Sequence, residues 1–219
     1  MRICVITGGP NICELAADIA LSCDKVLCAD SGADFAFEHH LMPECIYGDL
    51  DSISEEGKLR INSLGIPVEI FPAEKDMTDT ELVLSRISVD EEIILVCSLE
   101  GRIDHVMANL QIVMKMREAG YQITATDGLT DVIPMCSGDN VTIDELVNTE
   151  DAVISLIPDG TNAVVKNVVT SGLYYPINNV DIVGGSSFTV SNKLANGSTG
   201  FSVSIGEGNL FLVVTNKLL

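Results

Sequence analysis

The feature that most constrains the fold of this 219-residue chain is a change in sequence pattern partway along it. From residue 2 to about residue 130, short apolar runs alternate with segments of helical period; after about residue 137, only short β-branched runs separated by turn residues follow. Alternating strands and helices predict a parallel sheet with helices on both faces, whereas closely spaced strands predict an antiparallel sandwich. We therefore expect an α/β chain with a mostly parallel, Rossmann-like domain over residues 1–136 and a β-sandwich over residues 137–219.

The alternation in the first half defines individual elements. Candidate strands cover residues 3–7, 26–29, 45–47, 68–71, 93–97 and 123–126, and candidate helices cover residues 11–22, 33–40, 55–64, 79–88 and 103–119. The last helix has the clearest period, because its apolar residues recur at spacings of three and four: Ile103, Val106, Met107, Leu110, Val113 and Met114. This spacing predicts one stripe that faces the core.

The charge of the chain limits its partners. With 32 acidic against 12 basic residues and a net charge of -20, the chain should repel nucleic acids and anionic membrane surfaces. An anionic small substrate requires a divalent cation or local basic groups where it binds. The chain has no apolar run of the roughly 18 residues that a membrane span needs. Seven cysteines without a CxxC pair or a secretory signal predict reduced thiols and a cytoplasmic protein.

Acidic residues follow the predicted carboxyl ends of four strands, where open α/β sheets bind ligands. They lie in four segments: ADSGAD with Asp30 and Asp34, GDLDS with Asp49 and Asp51, EKDMTDTE with Asp76 and Asp79, and SLEGRIDH with Arg102 and Asp104. If Asp49 and Asp51 are extended, their side chains lie on one face about 7 Å apart. Oxygen ligands of this kind favour Mg²⁺, commonly together with substrate phosphates.

Each of these residues also has a structural interpretation. Loop aspartates commonly cap turns, and Thr78 with Glu81 forms a possible capping box in which the helix dipole alone favours Asp79. Arg102 is equally compatible with a solvated surface position or with binding phosphate at a helix N-terminus. Gly8 and Gly9 belong to neither a P-loop nor a dinucleotide fingerprint. The metal-site interpretation depends on the convergence of four acidic loops at one edge.

The chain resembles the thiamine pyrophosphokinase family in a series of motifs that occur in the family's order. These are ADSGAD (29–34), YGDLDSI (47–53), EKDMTDTELVL (74–84), EGRIDHVMANL (100–110), TSGLYYPI (170–177) and SNKL (191–194). The resemblance implies an ATP-binding catalytic α/β domain, a thiamine-binding sandwich, and a homodimer with active sites between subunits. It also implies Mg²⁺-dependent transfer of the pyrophosphoryl group of ATP to the hydroxyl of thiamine, which gives thiamine diphosphate and AMP.

The same resemblance assigns residues to the site. The acidic magnesium and nucleotide site would comprise Asp30, Asp49, Asp51, Asp76 and Asp79, with Asp49, Asp51 and Asp76 as metal ligands. Arg102 and Asp104 would flank the nucleotide, and Ser191 and Asn192 would lie by the thiamine pocket. Arg102 would also stabilise the charge that develops during transfer. Either Asp49 or Asp76 would orient or deprotonate the thiamine hydroxyl, so that the catalytic residues are Asp49, Asp51, Asp76 and Arg102.

The chain departs from the family pattern at three positions. Leu50 replaces a common Phe, Glu100 replaces a Gly and adds a negative charge beside the expected phosphate site, and Lys193 replaces a common acidic residue. The chain has no Trp, so an aromatic contact to thiamine must come from Phe or Tyr, with Tyr174 and Tyr175 as candidates.

Other functions are compatible with the acidic loops. A DxD metal-dependent nucleotide-sugar transferase or phosphatase would release no AMP from ATP and thiamine. A non-catalytic protein that binds Mg²⁺-nucleotide or thiamine would show binding without turnover. In a purely structural protein, the same acids would cap turns and helices.

Overall fold

The computed structural model describes residues 1–71, 76–146 and 149–216. The chain divides into two compact units, Met1–Gly128 and Leu129–Leu219. None of the helices described has the length and apolar character needed to cross a bilayer.

The first unit is a parallel sheet with helices between its strands. Its strands are β1 (Arg2–Thr7), β2 (Lys25–Ala29), β3 (Cys45–Gly48), β4 (Val68–Ile70), β5 (Glu92–Val96) and β6 (Gln122–Thr126). Its helices are α1 (Leu15–Leu21), α2 (Gly32–Glu38), α3 (Glu55–Leu64), α4 (Asp79–Leu84) and α5 (Ile103–Glu118). The strand order is β4-β3-β2-β1-β5-β6, with every neighbouring pair parallel. The predicted α/β fold is confirmed, and the order reverses between β1 and β5, where such sheets bind ligands at the carboxyl ends.

Two predicted helices are shorter than their sequence pattern suggested. Helix α1 begins at Leu15 rather than at residue 11, because Asn11 has a φ of 59° and belongs to the loop after β1. Helix α4 ends at Leu84 rather than at residue 88, because the N–H groups of Arg86 and Ile87 bond only three residues back, to Val83 and Leu84. Apolar spacing continues through both irregular segments, so it does not mark where the helix stops.

The predicted stripe of α5 is only partly buried. Val106, Val113 and Met114 are buried, but Ile103 and Met107 at the start of the stripe are 68% and 56% exposed. The expectation that the whole stripe faces the core was therefore wrong at its N-terminal end. Periodicity shows which residues share a helix face, but it does not show how far along the helix that face is covered.

The second unit consists of two antiparallel sheets that share a core. Its strands are β7 (Thr130–Met135), β8 (Asn140–Ile143), β9 (Val153–Pro158), β10 (Val164–Ser171), β11 (Asn178–Val183), β12 (Phe201–Ser204) and β13 (Leu210–Thr215). One sheet has the order β7-β13-β9 and the other β11-β10-β12-β8. Apolar residues of both sheets, among them Leu156 and Val203, form one buried cluster. This arrangement confirms the predicted β-sandwich.

Candidate functional site

Three aspartates from two neighbouring loops converge at the carboxyl edge of the parallel sheet. Asp30 follows β2, and Asp49 and Asp51 follow β3. One carboxylate oxygen of each lies within 4.8 Å of the others. Asp30 and Asp49 are half-buried and Asp51 is exposed. Three oxygen donors at this spacing fit a hard divalent cation. We call these three residues the acidic cluster.

A local turn, and not an extended strand, brings Asp49 and Asp51 together. Leu50 has a φ of 64°, and the N–H of Asp51 donates to Oδ1 of Asp49 at 3.0 Å. The N–H of Leu50 donates to Oδ1 of Asp30 at 3.2 Å. The extended conformation considered as a possibility from the sequence does not occur, because an aspartate side chain competes for nearby backbone N–H groups and folds the chain into a turn.

Gly48 allows Asp30 to approach the end of β3. Its φ of 143° is rare for residues with a side chain, and a Cβ at this position would overlap Oδ1 of Asp30. The glycine of the YGDLDSI motif is therefore required by the position of a carboxylate in the neighbouring loop.

The acidic cluster carries unbalanced negative charge. Partial burial, together with the hydrogen bond and the charge of Asp79, raises the pKa of Asp30 to about 7. The hydrogen bond with Asp49 and its charge raise the pKa of Asp51. Repulsion among carboxylates therefore contributes to both raised pKa values, after burial for Asp30 and beside the hydrogen bond with Asp49 for Asp51, and a bound cation offsets it.

The loop before α4 places one of its two predicted aspartates against the cluster. Asp79 is half-buried in the first turn of α4 and is close enough to Asp30 to raise the pKa of that carboxyl. Thr78 caps this helix, since its hydroxyl accepts the N–H of Glu81 at 3.2 Å. Asp76 lies exposed in the preceding turn and is outside the acidic cluster. Residues 74 and 75 of the predicted motif fall outside the described residues.

Arg102 and Asp104 lie at the start of α5 and pair with each other. Nε and Nη2 of Arg102 donate to the two carboxylate oxygens at 3.2 and 2.5 Å. This pairing lowers the pKa of Asp104 to about 2 and raises the pKa of Arg102. Both side chains are largely exposed. A phosphate that binds Arg102 must therefore compete with Asp104 for the guanidinium.

The unusual residue Glu100 has a partner that sequence reasoning missed. Nδ2 of Asn11, in the loop after β1, donates to Oε2 of Glu100 at 2.8 Å. A Cβ on Gly101 would lie 2.8 Å from Cγ of Pro10, so the two loops are closely packed. The added negative charge therefore holds the loop after β5 to the loop after β1. The sequence carried no signal of this pairing, because the two residues are 89 positions apart.

The second unit contains a cavity of about 500 Å³. It is lined mainly by apolar side chains: Ile154, Leu156, Leu173, Tyr175, Pro176, Ile177, Phe188, Thr189, Val190, Ser191 and Asn192. The structure thus brings the predicted residues Ser191 and Asn192 together at one pocket. Phe188, which is exposed on its wall, was not predicted. Cavities of this size and apolar character suit small-molecule ligands.

Asn192 orders one wall of this pocket. Its Oδ1 accepts the N–H of Tyr175 at 3.1 Å, and its Nδ2 donates to the carbonyl of the same residue at 2.8 Å. Ser191 has a φ of 61° and donates its N–H to Oγ of Ser155 at 3.0 Å. Lys193 points its ammonium at the ring of Tyr174, 4.6 Å from the centroid. The amide of Asn192 thereby fixes the backbone that presents Tyr175.

Family models match both units. The model described as the thiamin pyrophosphokinase catalytic domain matches residues 16–125. The model described as the thiamin pyrophosphokinase vitamin B1 binding domain matches residues 140–210.

Individual relatives agree with these matches. The thiamine pyrophosphokinase of Bacillus subtilis is 28% identical over 208 residues, which cover 92% of this chain and 94% of the relative. Thiamine pyrophosphokinase 2 of Oryza sativa is 27% identical over 189 residues, or 76% of this chain and 69% of the relative.

Solved structures show the same fold. A crystal structure of thiamine pyrophosphokinase from Bacillus subtilis superposes with a TM-score of 0.84 at 24% identity, over 100% of both chains. Thiamin pyrophosphokinase from Candida albicans superposes with a TM-score of 0.78 at 18% identity, over 99% of this chain and 89% of the other.

Proposed function

The chain belongs to the thiamine pyrophosphokinase family, and on that premise we propose that it transfers the pyrophosphoryl group of ATP to the hydroxyl group of thiamine. The products would be thiamine diphosphate and AMP. The observation that carries this proposal is the acidic cluster at the carboxyl edge of a sheet that matches the family's catalytic domain.

The acidic cluster fits a divalent cation, which we propose is Mg²⁺. Asp30, Asp49 and Asp51 would hold it, with oxygen atoms within 4.8 Å of one another. Mg²⁺ prefers a few carboxylates together with water and phosphate oxygens, which matches a site that must also accept ATP. Such a cation supplies the positive charge that an acidic chain needs to bind a polyphosphate. Asp76 remains a predicted further ligand from the turn before α4.

The remaining residues of the catalytic unit would orient the nucleotide and thiamine. Asp79 would orient Asp30, whose pKa it raises. Arg102 would exchange its contact with Asp104 for a phosphate oxygen and stabilise the charge that develops as AMP departs. The thiamine hydroxyl would attack the β-phosphorus, with Asp49 or Asp76 positioned to accept its proton.

Thiamine would bind in the cavity of the second unit. The cavity offers apolar walls, the amide of Asn192 and the backbone around Ser191. Tyr175 and Phe188 line it and would supply the aromatic contact that no Trp can provide. Aromatic faces also favour the cationic thiazolium ring of thiamine.

The family resemblance further supports a cytoplasmic homodimer in which the acidic cluster of one subunit and the pocket of its partner serve the same reaction. Light scattering of the purified chain gives the oligomeric state. At a thiamine concentration well below the KM of Asn192→Ala, mixing Asp51→Asn with Asn192→Ala subunits should give more activity than the two variants show separately, because one of the two sites in a mixed dimer is then intact. Mixed subunits without such recovery would contradict the shared site.

The decisive test of the function is AMP release with ATP, Mg²⁺ and thiamine. We expect AMP and thiamine diphosphate in equal amounts, and neither product when thiamine is omitted or when EDTA removes the cation. AMP release that is independent of thiamine would contradict the proposal. Binding of both ligands without turnover would identify a non-catalytic binding protein.

A further inference from the structure

Asp34, in α2, anchors the far end of the loop that carries two members of the acidic cluster. Its Oδ2 accepts the N–H of Ser54 at 2.8 Å, and its Oδ1 accepts the Ser54 hydroxyl at 2.6 Å. The Ser54 hydroxyl oxygen in turn accepts the N–H of Gly57 at 3.0 Å, which caps α3. One carboxylate therefore fixes the residue at which the loop ends and α3 begins.

The segment from Asp30 to Asp34 contacts this loop at two earlier points as well. Oδ1 of Asp30 accepts the N–H of Leu50, and the N–H of Ser31 donates to Oγ of Ser52 at 3.3 Å. Alternate loop residues, at positions 50, 52 and 54, are thus bound to the segment. The side chains of positions 49 and 51 remain available to the acidic cluster.

The chain is shaped to admit the Asp34 carboxylate. A Cβ on Gly57 would overlap Oδ1 of Asp34 and would lie 2.7 Å from Cγ2 of Ile53. A larger residue at position 57 would push the carboxylate away from Ser54. Gly57 is buried in the first turn of α3, where glycine is otherwise unfavourable.

The loop needs such an anchor, because its conformation is costly without a cation. Its two carboxylates lie close to that of Asp30 and repel it and each other. Leu50 adds backbone strain, since its φ of 64° is unfavourable for a residue with a side chain. A loop under both stresses opens unless other contacts hold it, and an open loop must be ordered again before it binds a cation.

We propose that Asp34 is a positioning residue that holds the 49–53 loop ready for a divalent cation, so that its loss weakens cation binding more than the chemical step. The inference rests on the proposed function in taking the acidic cluster as the cation site. Asp34 itself accepts hydrogen bonds from Ser54 and is not a member of the acidic cluster.

The test is calorimetric titration of the full-length, nucleotide-free protein with MgCl₂. Asp34→Ala should raise the Kd for Mg²⁺ roughly tenfold, as is typical when a supporting contact behind a metal site is lost. In the AMP-release assay, the half-saturating Mg²⁺ concentration should rise in parallel while kcat at saturating Mg²⁺ stays near that of the wild type. Asp34→Asn, which keeps one acceptor oxygen, should recover part of the affinity.

Glu56→Gln is the matched control, because Glu56 also lies in the first turn of α3 and pairs with Arg60 at 2.8 Å on the exposed side. This variant should leave the Kd for Mg²⁺ unchanged, since exposed pairs of this kind contribute little. If Asp34→Ala fails to fold, Asp34→Asn and Ser54→Ala carry the same test, with an expected rise in Kd for each.

A variant that loses thermal stability yet binds Mg²⁺ with wild-type affinity would overturn the inference, because Asp34 would then only join two helices. A wild-type protein that binds Mg²⁺ at the acidic cluster but releases no AMP would contradict the proposed function and leave the calorimetric comparison intact. If the wild-type protein bound Mg²⁺ with the same Kd as Asp30→Asn, the acidic cluster would not be the cation site, and the inference would fail.

Discussion

Replacing Gly48 with alanine tests whether the acidic cluster depends on the close approach of Asp30 to β3. The added Cβ would overlap Oδ1 of Asp30 and would lie 2.5 Å from its Cγ, so the carboxylate must turn away. Its 3.2 Å hydrogen bond from Leu50 is then lost. We expect about 1–3 kcal/mol of backbone strain at a φ of 143°, and about 1 kcal/mol for the lost hydrogen bond.

Gly65→Ala separates these two effects. Gly65 ends α3 with a φ of 66°, and an added Cβ there meets nothing within 4 Å. It should therefore cost only the left-handed strain of about 1–2 kcal/mol. Urea unfolding gives the stability of both variants, and titration with MgCl₂ gives their cation affinity. Gly48→Ala should lower the stability and weaken Mg²⁺ binding roughly tenfold. Gly65→Ala should lower the stability without changing the Mg²⁺ affinity. Equal Mg²⁺ affinity in the two variants would refute the reasoning.

Further predictions concern the acidic cluster, the cavity and a thiol. Asp49→Asn and Asp51→Asn should each lower kcat at least about 100-fold, because each removes a charge that faces the cation. The circular dichroism spectrum should stay unchanged. Near-normal AMP release would contradict the assignment of these residues as cation ligands. Asn192→Ala should raise the KM for thiamine about tenfold through the loss of its ordering hydrogen bonds, and a matching change in the KM for ATP would argue against a local role. The hydrogen bond with Cys4 lowers the pKa of the Cys23 thiol to about 7. At pH 7, iodoacetamide should therefore alkylate Cys23 faster than the other cysteines, and its reaction with Cys23 should slow as the pH falls. Equal rates for all cysteines would contradict this.

The parallel sheet could be predicted because most of its strands are buried on both faces and appear in the sequence as short apolar runs. Strand β7 was harder to find, since TDVIPM contains Pro134, which lacks the N–H that a ladder needs, and opens with polar residues. The sequence placed the domain boundary after residue 136, whereas the compact units divide between Gly128 and Leu129.

The edge that carries the candidate site could also be predicted, because parallel strands present their carboxyl ends together. Which of the aspartates at this edge form the acidic cluster could not be predicted. Asp30 joins Asp49 and Asp51 because Gly48 leaves room for it and Leu50 turns the loop, and a leucine with positive φ has no sequence signal. The family resemblance grouped Asp30 with the acidic site but placed Asp76 among the metal ligands, and the assignment of Asp76 stays a prediction.

The contacts that order the acidic cluster explain how repelling carboxylates can be held for a cation. The N–H of Leu50 bonds Asp30, and the N–H of Asp51 bonds Asp49. Backbone N–H groups carry no net charge, so they fix the direction of each carboxylate without cancelling its charge. A lysine or arginine in their place would order the loop equally well, but its positive charge would compete with the cation for the same oxygens. Backbone donors therefore hold the loop in a way that an ion pair cannot, because they keep the full negative charge of the carboxylates available to the proposed divalent cation.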